Sequence, residues 1–271
     1  MSFFKAFKKI PYKFDNDQPS SNITDLFHYV VLDELFTDKS TAYQYYEVGD
    51  GERPDIVSQK LYGTPDYYWT IFLINEHLSD GHEAWPLSSQ EYERYIKHMY
   101  DGIVIHANYE IIYNTDGQLI DHKNSVAGRF EIGEPVIGSK SGATGYILDK
   151  DPTLNHIYIG GIKNGIANPD IQTLGGPFRL DDLIIGDQTS DSISTNKIWP
   201  WAKAPKYYLD ENGIETTTLD IIHSVNNGTK YVSFEEYEKT LNEDRRHIRV
   251  IRPSIIDDFV IQYKKKMRGE I

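Results

Sequence analysis

The alternation of apolar and polar positions divides the chain into helical, strand-like and irregular stretches. Residues 45–76, "YYEVGDGERPDIVSQKLYGTPDYYWTIFLINE", open with a short strand-like run and a turn at "GDGE", after which Ile56, Val57 and Leu61 recur at helical spacing. Pro54 stands where a first helical residue can lack its N–H, and Gly63 where a helix end needs a left-handed residue, so a helix is predicted between them. Thr64 is placed to cap a second helix with Pro65 at its first position, and Tyr68, Trp69, Phe72 and Leu73 supply its apolar stripe as far as Asn75. Ser88 and Glu91 have capping-box spacing and open a third helix running to Tyr100.

On either side of this unit the pattern changes. The run 22–36, "NITDLFHYVVLDELF", fits strand or helix, with Val30 and Val31 favouring strand. Residues 103–113 and 118–120 read as strands joined at "NTDG", where Asp-Gly supplies the positive φ of a tight hairpin. Beyond lies an internal repeat: "FEIGEPVIG" (130–138) and "FRLDDLIIG" (178–186) share Phe, then an acid four residues on, then Ile-Gly. Two copies are too few for a solenoid, so a small closed barrel or sandwich, with both copies packed across one core, is expected over 128–190.

"QTSDSISTNK" reads as a polar linker and "IWPWAKAPKYYLDENG" as an irregular, proline-broken segment. Ser233 and Glu236 open another capping-box helix to about Arg246, "HIRVI" reads as a strand, and Ser254 caps a last amphipathic helix to about Met267. The predicted class is α+β. Its expected parts are an N-terminal arm (1–22), a βαα module with a third helix (23–102), a hairpin connection (103–127), the barrel insert (128–190), a linker and irregular segment (191–232) and a C-terminal helix-strand-helix clamp (233–271). Residues 1–20 and 187–200 have little to bury and are expected to be disordered in the isolated chain.

Composition narrows the function. With no cysteine among 271 residues, disulfides, thiolate metal sites and cysteine nucleophiles are excluded. No apolar run approaches a membrane span, and the lysines scattered through "MSFFKAFKKIPYKF" break any signal-peptide core, so a soluble protein outside the secretory route is expected. The net charge of -13 is segregated: Lys5, Lys8, Lys9 and Lys13 meet no acid at the N-terminus, and eight basic residues face three acids over 245–271. The 16 basic and 38 acidic residues between leave a middle of -22, which repels duplex DNA and suits docking to protein neighbours.

Chemistry finds little foothold. His77, Asp80, His82 and Glu83 crowd a Ser-Asp-Gly turn without the helical spacing of a zinc site. "SGATG" and "GGIKNG" match neither phosphate-loop pattern and read as turns of the barrel insert; no GxSxG elbow or poised carboxylate pair appears. No cofactor and no metal is expected. The aromatics are the strongest local feature: Tyr62, Trp69 and Phe72 fit a core, whereas Tyr45, Tyr67 and Trp85 are candidate anchors for a partner.

The stretch 46–76, with "WPLS" at 85–88, resembles the LysM-like module of the baseplate wedge subunit 53 family of T4-like contractile-tailed bacteriophages. "NITDLF", "IHANYE" (105–110) and "LNEDRRHIRVIRPSIIDDFVIQYKK" (241–265) extend the resemblance to roughly half the chain, at both ends. In the pattern of LysM modules, Tyr46, Val48, Asp50, Gly51, Ile56, Val57, Tyr62 and Asn75 fill comparable places, whereas Arg53-Pro54 replaces the usual Thr-Leu.

The resemblance implies a non-enzymatic virion protein, assembled in the host cytoplasm. It would join wedge subunits and neighbouring wedges around the hub, with other baseplate wedge proteins as partners, copies arranged around a symmetric ring, and no nucleic acid or membrane. The alternative is a peptidoglycan- or glycan-binding tail component using the LysM-like groove. The expected protein interface comprises Phe3, Phe4 and Phe7 in the arm and Tyr45, Asp50, Arg53, Tyr67 and Trp85 in the module. At the C-terminus it takes in Arg245, Arg246, Arg249, Arg252, Lys264 and Lys265.

Overall fold

A computed structural model of the chain describes residues 7–14, 20–25, 42–107, 110–113, 115–116, 119–123, 125–161, 178–216, 230–268 and 270. Phe3, Phe4 and most of the 22–36 run lie outside the described residues. The chain divides into two units, Met1–Gln90 with Leu241–Ile271, and Glu91–Thr240.

The first unit begins with β1 (Lys9–Tyr12) and β2 (Ser21–Thr24), an antiparallel pair with Ile10 opposite Ile23, of which β1 lies inside the segment 1–20 expected to lack order. β3 (Tyr43–Glu47) leads through the expected turn, closed by the Glu52 N–H donating to the Gly49 carbonyl, into α1 (Pro54–Tyr62). Gly63 ends α1 at φ 71° and its N–H donates to Gln59, because only a residue without a Cβ adopts that conformation without cost. The helix expected after Thr64 is divided at Tyr68 into a 3-10 turn, Pro65–Tyr67, capped by the Thr64 hydroxyl, and α2 (Trp69–Ile74). α3 (Ser89–Met99) follows two further short turns, and the division between units falls within it.

In the second unit come β4 (Ile103–Ala107), β5 (Glu110–Tyr113), β6 (Leu119–Lys123), β7 (Pro135–Gly138), β8 (Thr144–Asp151), β9 (His156–Gly160), β10 (Leu183–Gly186) and β11 (Ser192–Pro200). β5 and β6 form the predicted hairpin, while β4, expected to be continuous with β5, enters the barrel instead. The barrel is closed and antiparallel in the order β10-β11-β4-β9-β8-β7, so two of its six strands come from outside 128–190. Both repeat phenylalanines, Phe130 and Phe178, sit in its core with Ile105, Ile147, Ile157, Ile159, Ile184 and Ile193.

The segment expected as a polar linker is mostly β11. Ile193 and Thr195 point inward and short polar residues outward, and the buried Thr195 hydroxyl donates to the Arg179 carbonyl. One isoleucine and one threonine on the inner face are enough for a strand flanked on both edges. β12 (Pro205–Leu209), β13 (Glu215–Thr216) and β14 (Tyr231–Ser233) form a second sheet over Val104, Leu154, Tyr158, Trp199, Ala204 and Tyr208. At the start of α4 (Phe234–Arg246) the Ser233 N–H and hydroxyl donate to Glu236, whose N–H donates back to the Ser233 oxygen, the capping box read from sequence.

The C-terminal segment returns to the first unit as β15 (His247–Ile251) and α5 (Ile256–Arg268). β15 pairs antiparallel with β3, His247 opposite Glu47 and Ile251 opposite Tyr43. The strand expected in a separate clamp is therefore the second strand of the β3-α1-α2 module. Ile248 and Val250 complete its core with Val48, Val57, Ile71, Leu78, Ala84 and Trp85. Ile256, Phe259, Val260, Tyr263 and Met267 of α5 pack a second cluster with Trp69 and Ile74, and Phe7 rests against it.

Candidate interaction surface

The β3–β15 sheet has one face in the core and one toward solvent. Tyr46, Val48, Ile248 and Val250 point inward, whereas Tyr45, Glu47, His247 and Arg249 are exposed, Tyr45 at 85%. Asn75 closes the far edge of β15: its Nδ2 donates to the carbonyls of Ile71 at 2.7 Å and Arg249 at 2.8 Å, and its Oδ1 accepts from the Arg249 N–H at 2.9 Å. One amide side chain thus takes the place of a neighbouring strand.

Beside the sheet, Glu52 gathers the turn. Its carboxylate accepts from the Tyr46 hydroxyl at 2.9 and 3.0 Å and from the Gly49 N–H at 2.9 Å, and it pairs with Lys60. Burial pushes the Glu52 carboxyl up, but bonds from Lys60, Gly49 and Tyr46 outweigh it and hold it below the usual range. The Glu52 carbonyl accepts from the Trp85 indole N–H at 2.8 Å, and the Trp85 ring meets Phe72 edge-on. Trp85 is 8% exposed, so this expected anchor is a core residue.

Arg246 also turns inward, and Asp50, its side chain 57% exposed, meets it at the surface. The Arg246 guanidinium donates to the carbonyls of Val48 and Leu87 and to the Asp50 carboxylate, 3.2 Å away. Asp50 further accepts from the Ser89 N–H at 2.7 Å, and that bond first, with Arg246 second, holds its carboxyl below the usual range. These two residues, expected at an interface, fasten the β3 turn, the start of α3 and the end of α4. The period of two would have placed Arg246 inside, since it shares a strand face with Ile248 and Val250.

Of the other expected residues, those among the described ones are at least partly exposed. Arg249 lies over the Tyr43 ring and donates to the Ile74 carbonyl at 3.0 Å; Arg252 donates to the Tyr43 carbonyl at 3.1 Å. Arg245 is half-buried near His77, whose ring is held less basic than usual by burial, then by Arg249 and Arg245. Arg53 is exposed beside Asp55, and Tyr67 donates to Asp257 at 2.7 Å, a bond that raises its hydroxyl above its ordinary value. Lys265 is exposed and Lys264 half-buried on α5. Among the described residues no three His, Asp or Glu side chains are placed to hold a metal ion.

A shallow groove of about 350 Å³ in the second unit is lined by Lys203, Tyr231, Ser233, Glu235, Glu236 and Lys239. Glu236 is committed to the capping box and Glu235 to Lys203, which leaves no carboxylate pair for acid–base work. No helix among the described residues is long and apolar enough to cross a membrane.

No curated protein matches this chain. Residues 2–126 match the family described as Base plate wedge protein 53, a span that takes in β3, α1, α2 and α3 and ends before β7. Through that match the first 126 residues of the chain are similar to the phage base plate wedge protein 53 family, a family of the tail baseplate.

Proposed function

We propose that this protein joins wedge subunits to one another and to neighbouring wedges around the hub. The carrying observation is that Tyr45 and Arg249 project from a sheet whose other face is buried and whose far edge is locked by Asn75, with Arg252 just past its end and fastened to the Tyr43 carbonyl. An aromatic and two guanidinium groups held on a rigid element lose little entropy on binding, and arginine pairs bidentately with carboxylates. Arg245, Arg53, Tyr67, Lys264, Lys265 and the N-terminal arm with Phe7 add peripheral contacts, and several modest contacts along one chain reinforce each other. The partners are other baseplate wedge proteins in copies arranged around a ring, and no bond is made or broken.

The test mixes the purified chain with the other purified wedge subunits of the same phage at moderate salt. Co-migration on size exclusion, weakened by Arg249→Glu, is expected. Separate elution of every component would refute the proposal.

A further inference from the structure

We propose that the outer edge of β3 is a self-pairing surface through which the free protein joins a second copy of itself. The Val48 N–H donates to the Arg246 carbonyl at 2.9 Å and the Arg252 N–H to the Ala42 carbonyl at 3.0 Å. Even-numbered residues of β3 therefore spend their backbone groups on β15, and those of Tyr45 and Glu47 point away from it. Among the described residues these groups meet no partner.

Natural edge strands are protected by proline, lysine, a bulge or a covering element. β3, "YQYYE", has neither proline nor lysine, and its register with β15 shows no shift. The opposite edge of the same sheet is closed by Asn75, so the openness is confined to one side. At the centre of the open edge stands Tyr45, 85% exposed.

The two ends of this edge carry opposite charge. Glu47 is exposed with no ion pair among the described residues, and Arg252 reaches round to the Tyr43 carbonyl at the other end. When β3 is laid antiparallel on a second β3 about Tyr45, Tyr45 faces Tyr45 and Glu47 comes opposite Tyr43. Each Glu47 then meets the Arg252 of the other copy, once at each end. The outward backbone groups of Tyr45 fall in phase for this register, the Arg252 side chain at each end gives up the Tyr43 carbonyl to the incoming Glu47 N–H, and no like charges oppose. The overall charge of -13 opposes self-association, but beyond about 10 Å at ~0.1 M salt that repulsion is screened, whereas the two ion pairs are in contact. Five residues make a small interface, at the transient end of protein–protein contacts.

The experiment is sedimentation of the full chain alone from about 5 to 500 µM, a range that brackets transient affinities. The expected mass rises with concentration from 31.3 kDa toward twice that value. Tyr45→Pro removes an outward N–H and leaves the β3–β15 ladder intact, because proline is tolerated on an edge whose N–H faces solvent. It should weaken the association about tenfold or more. Glu47→Arg should weaken it too, and Glu47→Arg with Arg252→Glu should restore it, which holds the test open if the proline variant misfolds.

A monomer at every concentration, or a dimer indifferent to these substitutions, would overturn the proposal. So would a monomeric chain whose Tyr45→Pro variant stops co-migrating with the wedge subunits, since the edge would then belong to another subunit's strand. The measurement needs no other subunit, so its failure leaves the wedge-joining reading standing.

Discussion

Glu134 and Asp182, the acids at matching places in the internal repeat, each cap the other copy's turn. Glu134 accepts from the Glu131 N–H in its own copy and from the N–H groups of Gln188 and Thr189 just past Gly186. Asp182 accepts from the Arg179 N–H in its own copy and from those of Lys140 and Ser141 just past Gly138. β7 and β10 pair antiparallel between them, so the two repeats close the barrel as a pseudo-two-fold exchange. A Cβ on Gly138 or Gly186 would run into the opposite carboxylate, which explains the glycine ending each copy.

This exchange predicts a cooperative loss. Glu134→Gln or Asp182→Asn replaces a charged acceptor of several N–H groups with a half-donor amide, and each should destabilise the second unit by about 1–3 kcal/mol. Burial raises both carboxyls, but backbone N–H bonds, with a hydroxyl of Thr189 or Ser141, outweigh it and hold both below their usual values. The native state therefore binds fewer protons than the unfolded state, and the stabilisation is complete above the ordinary carboxylate range of about 4 and lost as pH falls through the depressed values. Thermal melts from pH 7 to pH 3 should show a shallower acid limb in either variant than in the parent.

His156 predicts a second acid limb at higher pH. Its ring is fully buried opposite His106, 5.3 Å between centroids, and neither nitrogen has a partner among the described residues. Burial first, and His106 second, push it well below the ordinary histidine value. Asp151 and Lys197 lie at the ends of the same row of strand partners, with Trp199 and Tyr158 packed beside the ring. The folded pKa is depressed, so stability is full above about 6.5 and falls as the unfolded state takes up a proton below it. His156→Phe should flatten the melting temperature between pH 6.5 and 5.

Much of this fold was legible because its signals are local. Pro54 and Gly63 bound a helix by backbone chemistry alone, Ser233 and Glu236 cap α4 reciprocally, and the Phe-acid-Ile-Gly repeat announced two copies across one core. What escaped is non-local. Nothing near "HIRVI" says that its partner is β3 at the other end of the chain, and nothing in "QTSDSISTNK" says that two strands flank it. Among the residues expected at an interface, Tyr45, Arg249 and Arg252 are exposed. Trp85 and Arg246 could not be separated from them by type, since a tryptophan or arginine anchors a partner or a core according to which face it lands on.

Asn75→Ala tests the edge cap. The substitution leaves the Arg249 N–H and carbonyl and the Ile71 carbonyl without the amide, and Asn75 itself is 1% exposed. A loss of about 2–3 kcal/mol in denaturant unfolding is expected, together with faster exchange of the Arg249 amide proton. Asn75→Asp keeps the acceptor but loses both donations, so it should recover the amide protection only in part.

Arg245 and Arg246 are adjacent and of one type, yet the structure gives them opposite tasks. Arg246 is 9% exposed, with its guanidinium spent on Val48, Leu87 and Asp50, whereas Arg245 is half-buried beside His77 at the surface. Arg246→Ala strands those carbonyls and should cost about 1–3 kcal/mol, the range for leaving buried acceptors unpaired, since the Asp50 carboxylate stays in solvent. Arg245→Ala should change stability by less than about 0.5 kcal/mol, as exposed substitutions do. If Arg245 serves the wedge contact, Arg245→Glu should weaken co-migration with the other wedge subunits while its melting temperature stays at the parent value. Arg246→Ala should lower the melting temperature first and binding only through it. Equal melting temperatures in the two alanine variants would remove the buried role assigned to Arg246, and undiminished co-migration of Arg245→Glu would remove Arg245 from the contact surface.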